Sequence, residues 1–326
     1  MTTENSDKQD KDTQNQLFLI DKLDTFNNQN QIKNYQKLQL IIYKKKRKQM
    51  LNRVLRKFFS SGVERQCTIS YLDGKNQGVA LVELNNPSKR NALSNKLVAD
   101  LKEIIHELNS NSNIRVGILR SKTPGMFCAG ADLKERLGLS NFQTELLVEN
   151  LRNTFDALYR VPVPMIAAID GPALGGGLEM AISCDIRIAT KKSLLGLPET
   201  ALAIIPGAGG TQKLPRLIGV AKAKELIFTA AKLSPQEALE LGILNYVEED
   251  YDSAYNKALT IAELILKNGP IGVRAAKAAI NLGSEVDLKT GLEIEKMQYT
   301  KVANSEDRIE GLKAFAEKRS PVYKGI

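Results

Sequence analysis

The sequence predicts an α/β protein that ends in a helical segment. Between residues 68 and 252, short apolar runs of strand length alternate with stretches whose apolar residues recur at helical spacing. From Ser253 to Lys318 the strand signal stops and only helical patterning continues. The composition, 43% hydrophobic and 25% charged over 326 residues, is sufficient for a sizeable core.

Each element has its own signal. Thr68–Leu72 and Val79–Leu84 are short alternating runs joined through Asp73-Gly74-Lys75-Asn76, which reads as a hairpin. Ser94 is placed to cap a helix whose apolar residues Leu97, Val98, Leu101, Ile104, Ile105 and Leu108 share one face. Ile114–Leu119 reads as a strand and Thr144–Tyr159 as a helix. Val163–Ile169 is nearly all apolar, as expected of a strand buried on both faces. A helix follows Leu174, then a strand over Asp185–Ala189, then helices near Thr211–Leu217, Ala221–Thr229 and Pro235–Leu241. The expected division is a disordered basic extension over 1–60, an α/β core over 61–252 and a helical C-terminal region over 253–326.

Charge is unevenly spread. Of the formal +9, residues 1–60 hold 13 Lys+Arg against 6 Asp+Glu, which leaves 33 against 31 for the rest. The basic character therefore belongs to the extension, and bulk charge gives no reason to read the body as nucleic-acid-binding. From Thr25 through Val63 there is no acidic residue, and Lys44-Lys45-Lys46-Arg47-Lys48 precedes an amphipathic stretch from Met50 to Ser61. That is the make-up of a mitochondrial transit peptide, and a start at Met50 would give it ordinary form. A disordered basic arm, or a nuclear or RNA-contacting patch, is the competing reading.

Several function classes drop out. With His106 as the single histidine, a multi-histidine zinc site is impossible, and His106 falls on the polar side of its helix. Cys67, Cys128 and Cys184 are too few and too scattered for a disulfide framework or a CxxC metal site. No run of about 18 apolar residues exists to span a membrane. If the chain performs acid–base chemistry, carboxylates are the expected proton carriers.

Three loops combine glycine, proline and carboxylate. Pro124 to Arg136 follows a strand, and a helix is expected to start near Ala131, with free N–H groups facing whatever lies over Ala129. Asp170 to Ile182 carries Gly175-Gly176-Gly177 at a strand-to-helix junction, with Glu179 in the first turn of an otherwise apolar helix. No GxGxxG spacing is met, so this is no dinucleotide fingerprint. The third places Pro198-Glu199 ahead of Gly207-Ala208-Gly209-Gly210, which lacks the GxxxxGK[ST] pattern of a phosphate loop. Glu179 and Glu199 lie twenty residues apart and can meet only if separate elements converge.

Taken together, Lys89-Arg90-Asn91-Ala92-Leu93, Phe127-Cys128-Ala129-Gly130-Ala131-Asp132, Ala173 to Glu179, Pro198-Glu199 and Ile205 to Leu214 resemble the enoyl-CoA hydratase/isomerase (crotonase) family over roughly residues 68–326. The resemblance implies a spiral of ββα units with a helical C-terminal trimerisation region, and trimers often paired into hexamers. It implies Glu179 and Glu199 as catalytic residues, and an oxyanion hole from the N–H groups of Ala129 and Gly176. It implies an acyl-CoA substrate bound by Lys89, Arg90, Ala129, Gly130, Ala131, Asp132, Phe315 and Lys318. No metal is expected, and no cofactor beyond the coenzyme A of the substrate. The implied reaction is addition of water across the 2,3-double bond of an enoyl-CoA. The expected substrate is 3-methylglutaconyl-CoA of leucine degradation in the mitochondrial matrix, and Lys134 and Arg136 are the nearest cations for its extra carboxylate. A straight-chain enoyl-CoA of fatty-acid oxidation is the alternative. RNA binding near Lys89, Arg90, Lys96 and Lys102 is a weaker one, because no aromatic side chains stand there for stacking.

Overall fold

The computed structural model describes residues 65–326. The basic extension, the presequence reading and the Met50 start lie outside the described residues. β1 (Cys67–Tyr71) and β2 (Val79–Leu84) pair antiparallel around a 3-10 turn at Gly74–Asn76, as the hairpin signal indicates. In α1 (Asn95–Ser110) the Ser94 side chain accepts the Leu97 N–H, a cap typically contributing about 1 kcal/mol. The six apolar residues named above form its buried face, and His106 is exposed.

Next come β3 (Val116–Ser121), the single-turn α2 (Leu133–Arg136) and α3 (Asn141–Tyr159). α3 begins three residues before the expected Thr144, because Ser140 and Gln143 close a reciprocal capping box. The chain then repeats a pattern. β4 (Met165–Ile169) leads through a turn to β5 (Pro172–Leu174) and α4 (Gly176–Ala181). β6 (Ile186–Thr190) leads in the same way to β7 (Leu194–Gly196), a 3-10 turn at Pro198–Leu202 and α5 (Gly210–Ile218). After these come α6 (Val220–Phe228), β8 (Lys232–Leu233), α7 (Pro235–Glu240) and β9 (Tyr246–Glu248). Four helices close the chain: α8 (Tyr251–Leu266), α9 (Pro270–Gly283), α10 (Leu288–Ala303) and α11 (Glu306–Ala316).

The longer strands form one sheet in the order β1-β2-β3-β4-β6-β9, parallel from β2 onward. β5, β7 and β8 form a second, three-stranded sheet. Each turn of the repeat thus contributes a strand to each sheet and then a helix, which is the ββα spiral that the resemblance implies. β5, β7, β8 and β9 have no counterpart in the sequence reading, since two or three residues are too few to display a period of two.

All five residues of β4 are buried, which is why its sequence does not alternate. One face of the sheet packs on the main core, which includes Leu97, Leu101, Phe127, Phe155 and Leu178. The other face packs Val79, Val116, Ile118, Ile166 and Ile188 against Ala254, Ala258 and Ala262 of α8. Small residues four apart let α8 lie close to the strands. The α/β region and α8 of the helical region thus pack together, and residues 65–326 form one compact unit.

Candidate active site

The first turn of the spiral brings the 127–131 loop against β5. Cys128 N–H donates to the Pro172 carbonyl (3.0 Å), and Leu174 N–H donates to the Cys128 carbonyl (3.2 Å), so Cys128 and Ala173 form a parallel bridge. Leu93 N–H donates to the Gly130 carbonyl at 2.8 Å and holds the loop from its other side. Gly130 has φ 93°, and a Cβ there would lie 2.6 Å from the Leu174 carbonyl oxygen and 3.5 Å from the Gly176 nitrogen. Only glycine permits that approach. The two small-residue segments are thus in direct contact.

This pairing corrects one expectation. Ala129 N–H donates to the Arg90 carbonyl at 3.1 Å, so it is not free to serve a substrate oxygen. Ala131, two residues on, has an N–H for which no acceptor exists among the described residues. The helix start moves as well. α2 begins at Leu133, two residues after the expected Ala131, because Asp132 caps it by accepting the N–H groups of Lys134 (3.2 Å) and Glu135 (3.4 Å). Its other oxygen takes the Lys89 ammonium at 2.6 Å, and that hydrogen bond holds the Asp132 carboxyl below the usual range.

Gly176 is the first residue of α4, where an N–H has no acceptor within the helix. Gly175 before it adopts φ 53° and ψ −125°, and a Cβ there would sit 2.9 Å from Glu199 Oε1. A Cβ on Gly176 would sit 3.9 Å from Glu179 Oε2. Neighbouring Cα atoms are about 3.8 Å apart, so the two carboxyl groups share one cleft. The distant glutamates therefore converge beside the free amides.

Their environments differ. Glu179 is 2% exposed, and its Oε1 accepts from the N–H groups of Ala208 (2.8 Å) and Gly210 (2.7 Å). Burial pushes its carboxyl up, while these two donors and the cations Lys213 and Arg136 pull it back toward the charged form. Glu199 sits in the 3-10 turn after β7, where the neighbouring Thr200 hydroxyl donates to the Ile227 carbonyl at 2.6 Å. Its Oε2 is buried and without a hydrogen-bond partner among the described residues. Burial and the Glu179 charge raise its carboxyl to about 7. Burial thus raises both carboxyls, and the two differ in their hydrogen bonds: Glu179 Oε1 has two amide donors and Glu199 Oε2 has none among the described residues.

The remaining expected residues lie further out. Lys89 is half-exposed and also pairs with Glu135 at 3.3 Å, while Arg90 is exposed in a left-handed conformation at φ 53°. Phe315, at the end of α11, is 87% exposed, and Lys318 is exposed just beyond it. Within one chain these two stand on the C-terminal surface and not in the buried cleft. Of the two cations near the first loop, Lys134 is exposed, whereas Arg136 is half-buried and its charge acts on both Glu179 and Glu199. All three cysteines are buried, and burial pushes the Cys128 and Cys184 thiols up to about 12, so neither is a ready nucleophile.

The Ala208–Gly210 clamp was hidden in a stretch that superficially suggests a phosphate loop. The anion it holds is the protein's own Glu179. A run of free N–H groups was the available signal, but nothing in it named the partner.

Comparison with known proteins finds relatives over most of the described residues. Residues 74–326 match the family model described as enoyl-CoA hydratase/isomerase. The chain is 48% identical over 275 residues to mitochondrial methylglutaconyl-CoA hydratase of Mus musculus, covering 83% of this chain and 88% of that one. It is 46% identical over 260 residues to mitochondrial enoyl-CoA hydratase domain-containing protein 2 of the same organism, covering 79% and 88%. The crystal structure of an enoyl-CoA hydratase from Bacillus anthracis superposes with a TM-score of 0.77 at 48% identity, covering 80% of this chain and all of that one.

Proposed function

The chain belongs to the enoyl-CoA hydratase/isomerase family, and from that premise we propose that it hydrates 3-methylglutaconyl-CoA, with Glu179 as general base and Glu199 as general acid. One observation carries the reading of the site: two carboxyl groups of unlike environment meet beside the unused N–H groups of Ala131 and Gly176. When water adds to C3 of an enoyl thioester, negative charge builds on the thioester oxygen. The Ala131 and Gly176 amides receive that oxygen, and preorganised donors of this kind contribute about 3 kcal/mol each. Glu179, its Oε1 fixed by two amides, accepts the proton of the attacking water through Oε2. Glu199, its carboxyl raised to about 7 so that a large fraction is protonated near neutral pH, and with Oε2 unpartnered among the described residues, delivers a proton to C2. Backbone amides and carboxylates carry every step of this route, which needs no metal and no cofactor beyond the substrate's coenzyme A.

The choice of acyl chain rests on Arg136. A half-buried guanidinium whose charge reaches both glutamates suits a substrate bearing a second carboxylate. Lys89, Arg90, Phe315 and Lys318 are assigned to the coenzyme A moiety, the last two from a neighbouring copy, in keeping with their exposure. α10 buries no residue in the single chain and exposes Leu288, Leu292 and Met297, which supports assembly into trimers, alone or paired as hexamers. The mitochondrial names of the relatives support a mitochondrial site of action, and the matrix is the compartment proposed. RNA binding is not part of this reading.

Turnover of 3-methylglutaconyl-CoA and crotonyl-CoA by the full chain, in direct competition, tests the assignment. The dicarboxylic substrate is expected to win, and Arg136→Met is expected to reverse the preference. Preference for crotonyl-CoA by the unaltered protein would move it to straight-chain oxidation.

A further inference from the structure

Lys213 lies on α5, three residues after the Gly210 whose N–H grips Glu179. Its ammonium is half-buried and forms no ion pair among the described residues; it donates instead to the Ser183 hydroxyl at 2.7 Å and to the Phe155 carbonyl at 3.3 Å. It also stands 5.1 Å from the centroid of the Tyr159 ring. The Ser183 hydroxyl in turn donates to the Glu179 carbonyl at 2.7 Å. At the other end of the same residue, Lys213 N–H donates to the Gly209 carbonyl at 2.8 Å. One lysine thus reaches both the helix that bears Glu179 and the loop that clamps its carboxylate.

Placing a cation there is costly without a reason. A half-buried ammonium lacking a carboxylate partner is disfavoured by desolvation, and burial lowers the Lys213 ammonium to about 8. The Phe155 carbonyl near the end of α3 and the Ser183 hydroxyl offset part of that cost.

We propose that Lys213 is a positioning residue for the hydration reaction, tying α4 to the 207–210 loop through Ser183 and holding its ammonium beside the helix that bears Glu179. The proposal rests on the reading of Glu179 as general base. The charged groups around this unit are few. Asp156, Tyr159 and Arg160 of α3, together with Cys184 after α4, face Lys213; Arg136 of α2 and Glu199 after β7 face Glu179. Removing Lys213 leaves Arg136 as the remaining cation acting on Glu179, so a partial and measurable rise of the Glu179 carboxyl follows.

The experiment is a profile of kcat/KM against pH for the full chain, with any enoyl-CoA thioester that the unaltered protein turns over. Lys213→Met and Lys213→Arg are compared with it. Loss of a nearby cation favours the protonated carboxyl, so the acid limb of Lys213→Met is expected to move up by about one pH unit. Its kcat at pH 7 is expected to fall roughly tenfold with KM little changed. Lys213→Arg is expected to keep the acid limb in place and to hold kcat within about threefold, because the charge and the donor survive. An unmoved acid limb in Lys213→Met, or a shifted limb in a folded Lys213→Arg, overturns the proposal. A melting temperature that falls while the limb stays put assigns Lys213 to stability alone. Absence of hydration by the unaltered protein would instead refute the functional reading itself, so the two failures are separable.

Discussion

At residues 175–177 a glycine-rich helix start leaves the Gly176 N–H without an acceptor among the described residues. At residues 207–210 a second glycine-rich helix start gives its N–H groups to Glu179, whose Oε1 accepts from Ala208 and Gly210. Both stretches are electropositive for the same reason, since a helix cannot satisfy its own first amides. They differ in whether a carboxylate of the protein reaches them. In the first the donors stay available for a substrate oxygen. In the second the donors fix Oε1 of Glu179, the general base proposed above, and not its Oε2. Reserved donors and consumed donors are two uses of one backbone device.

The most severe way to break this division is to remove the groups it serves. Glu179→Gln and Glu199→Gln are each expected to lower kcat by about 10²–10⁴-fold, measured as loss of enoyl absorbance. The pH dependence sharpens the same point. As the proposed general acid, Glu199 would act only while protonated, and burial raises its carboxyl to about 7. Hydration by the unaltered protein should therefore decline as pH rises through about 7, and that limb should vanish in Glu199→Gln.

A smaller loss is expected from the reserved donors. Replacing the amide at position 131 by an ester, through lactic acid in place of Ala131, removes one N–H and no side chain. Turnover is expected to fall by about 10²–10³-fold. The same replacement at position 129 should leave turnover nearly intact, because that N–H serves the Arg90 carbonyl. Equal losses at both positions would restore Ala129 to the oxyanion hole.

The consumed donors should give the smallest effect. A Cβ at position 210 would sit 2.9 Å from Glu179 Oε1, from Leu197 Cδ1 and from Pro206 Cβ. Gly210→Ala must displace the clamp by a few tenths of an ångström, and a drop in kcat of roughly tenfold is expected from the misplaced carboxylate. Unchanged kinetics would show that the clamp is not needed for the geometry of Glu179.

Much of the fold was legible because long elements carry a period. α1 announces itself through six apolar residues at helical spacing and a capping serine, and β4 through an unbroken apolar run. The second sheet was not legible, since β5 and β7 span three residues each and owe their form to pairing partners remote in the chain. The same asymmetry governs the site. Glu179 and Glu199 stand out as carboxylates in apolar, glycine-rich surroundings. Which amide remains free does not, because Ala129 and Ala131 are the same residue type, and only the Arg90 carbonyl distinguishes their fates. Lys213 is likewise unremarkable in sequence, and its proximity to Ser183 arises from the packing of α5 against α4.

The bridge between Cys128 and Ala173 has a wider consequence. It locks the 127–131 loop to β5 by main-chain hydrogen bonds alone, so the spacing of the two amide donors owes nothing to any particular side chain around the acyl group. Residues that contact different fatty or branched tails can drift over generations while this polar cradle keeps its dimensions. One scaffold can in this way retain a reaction and exchange its customers.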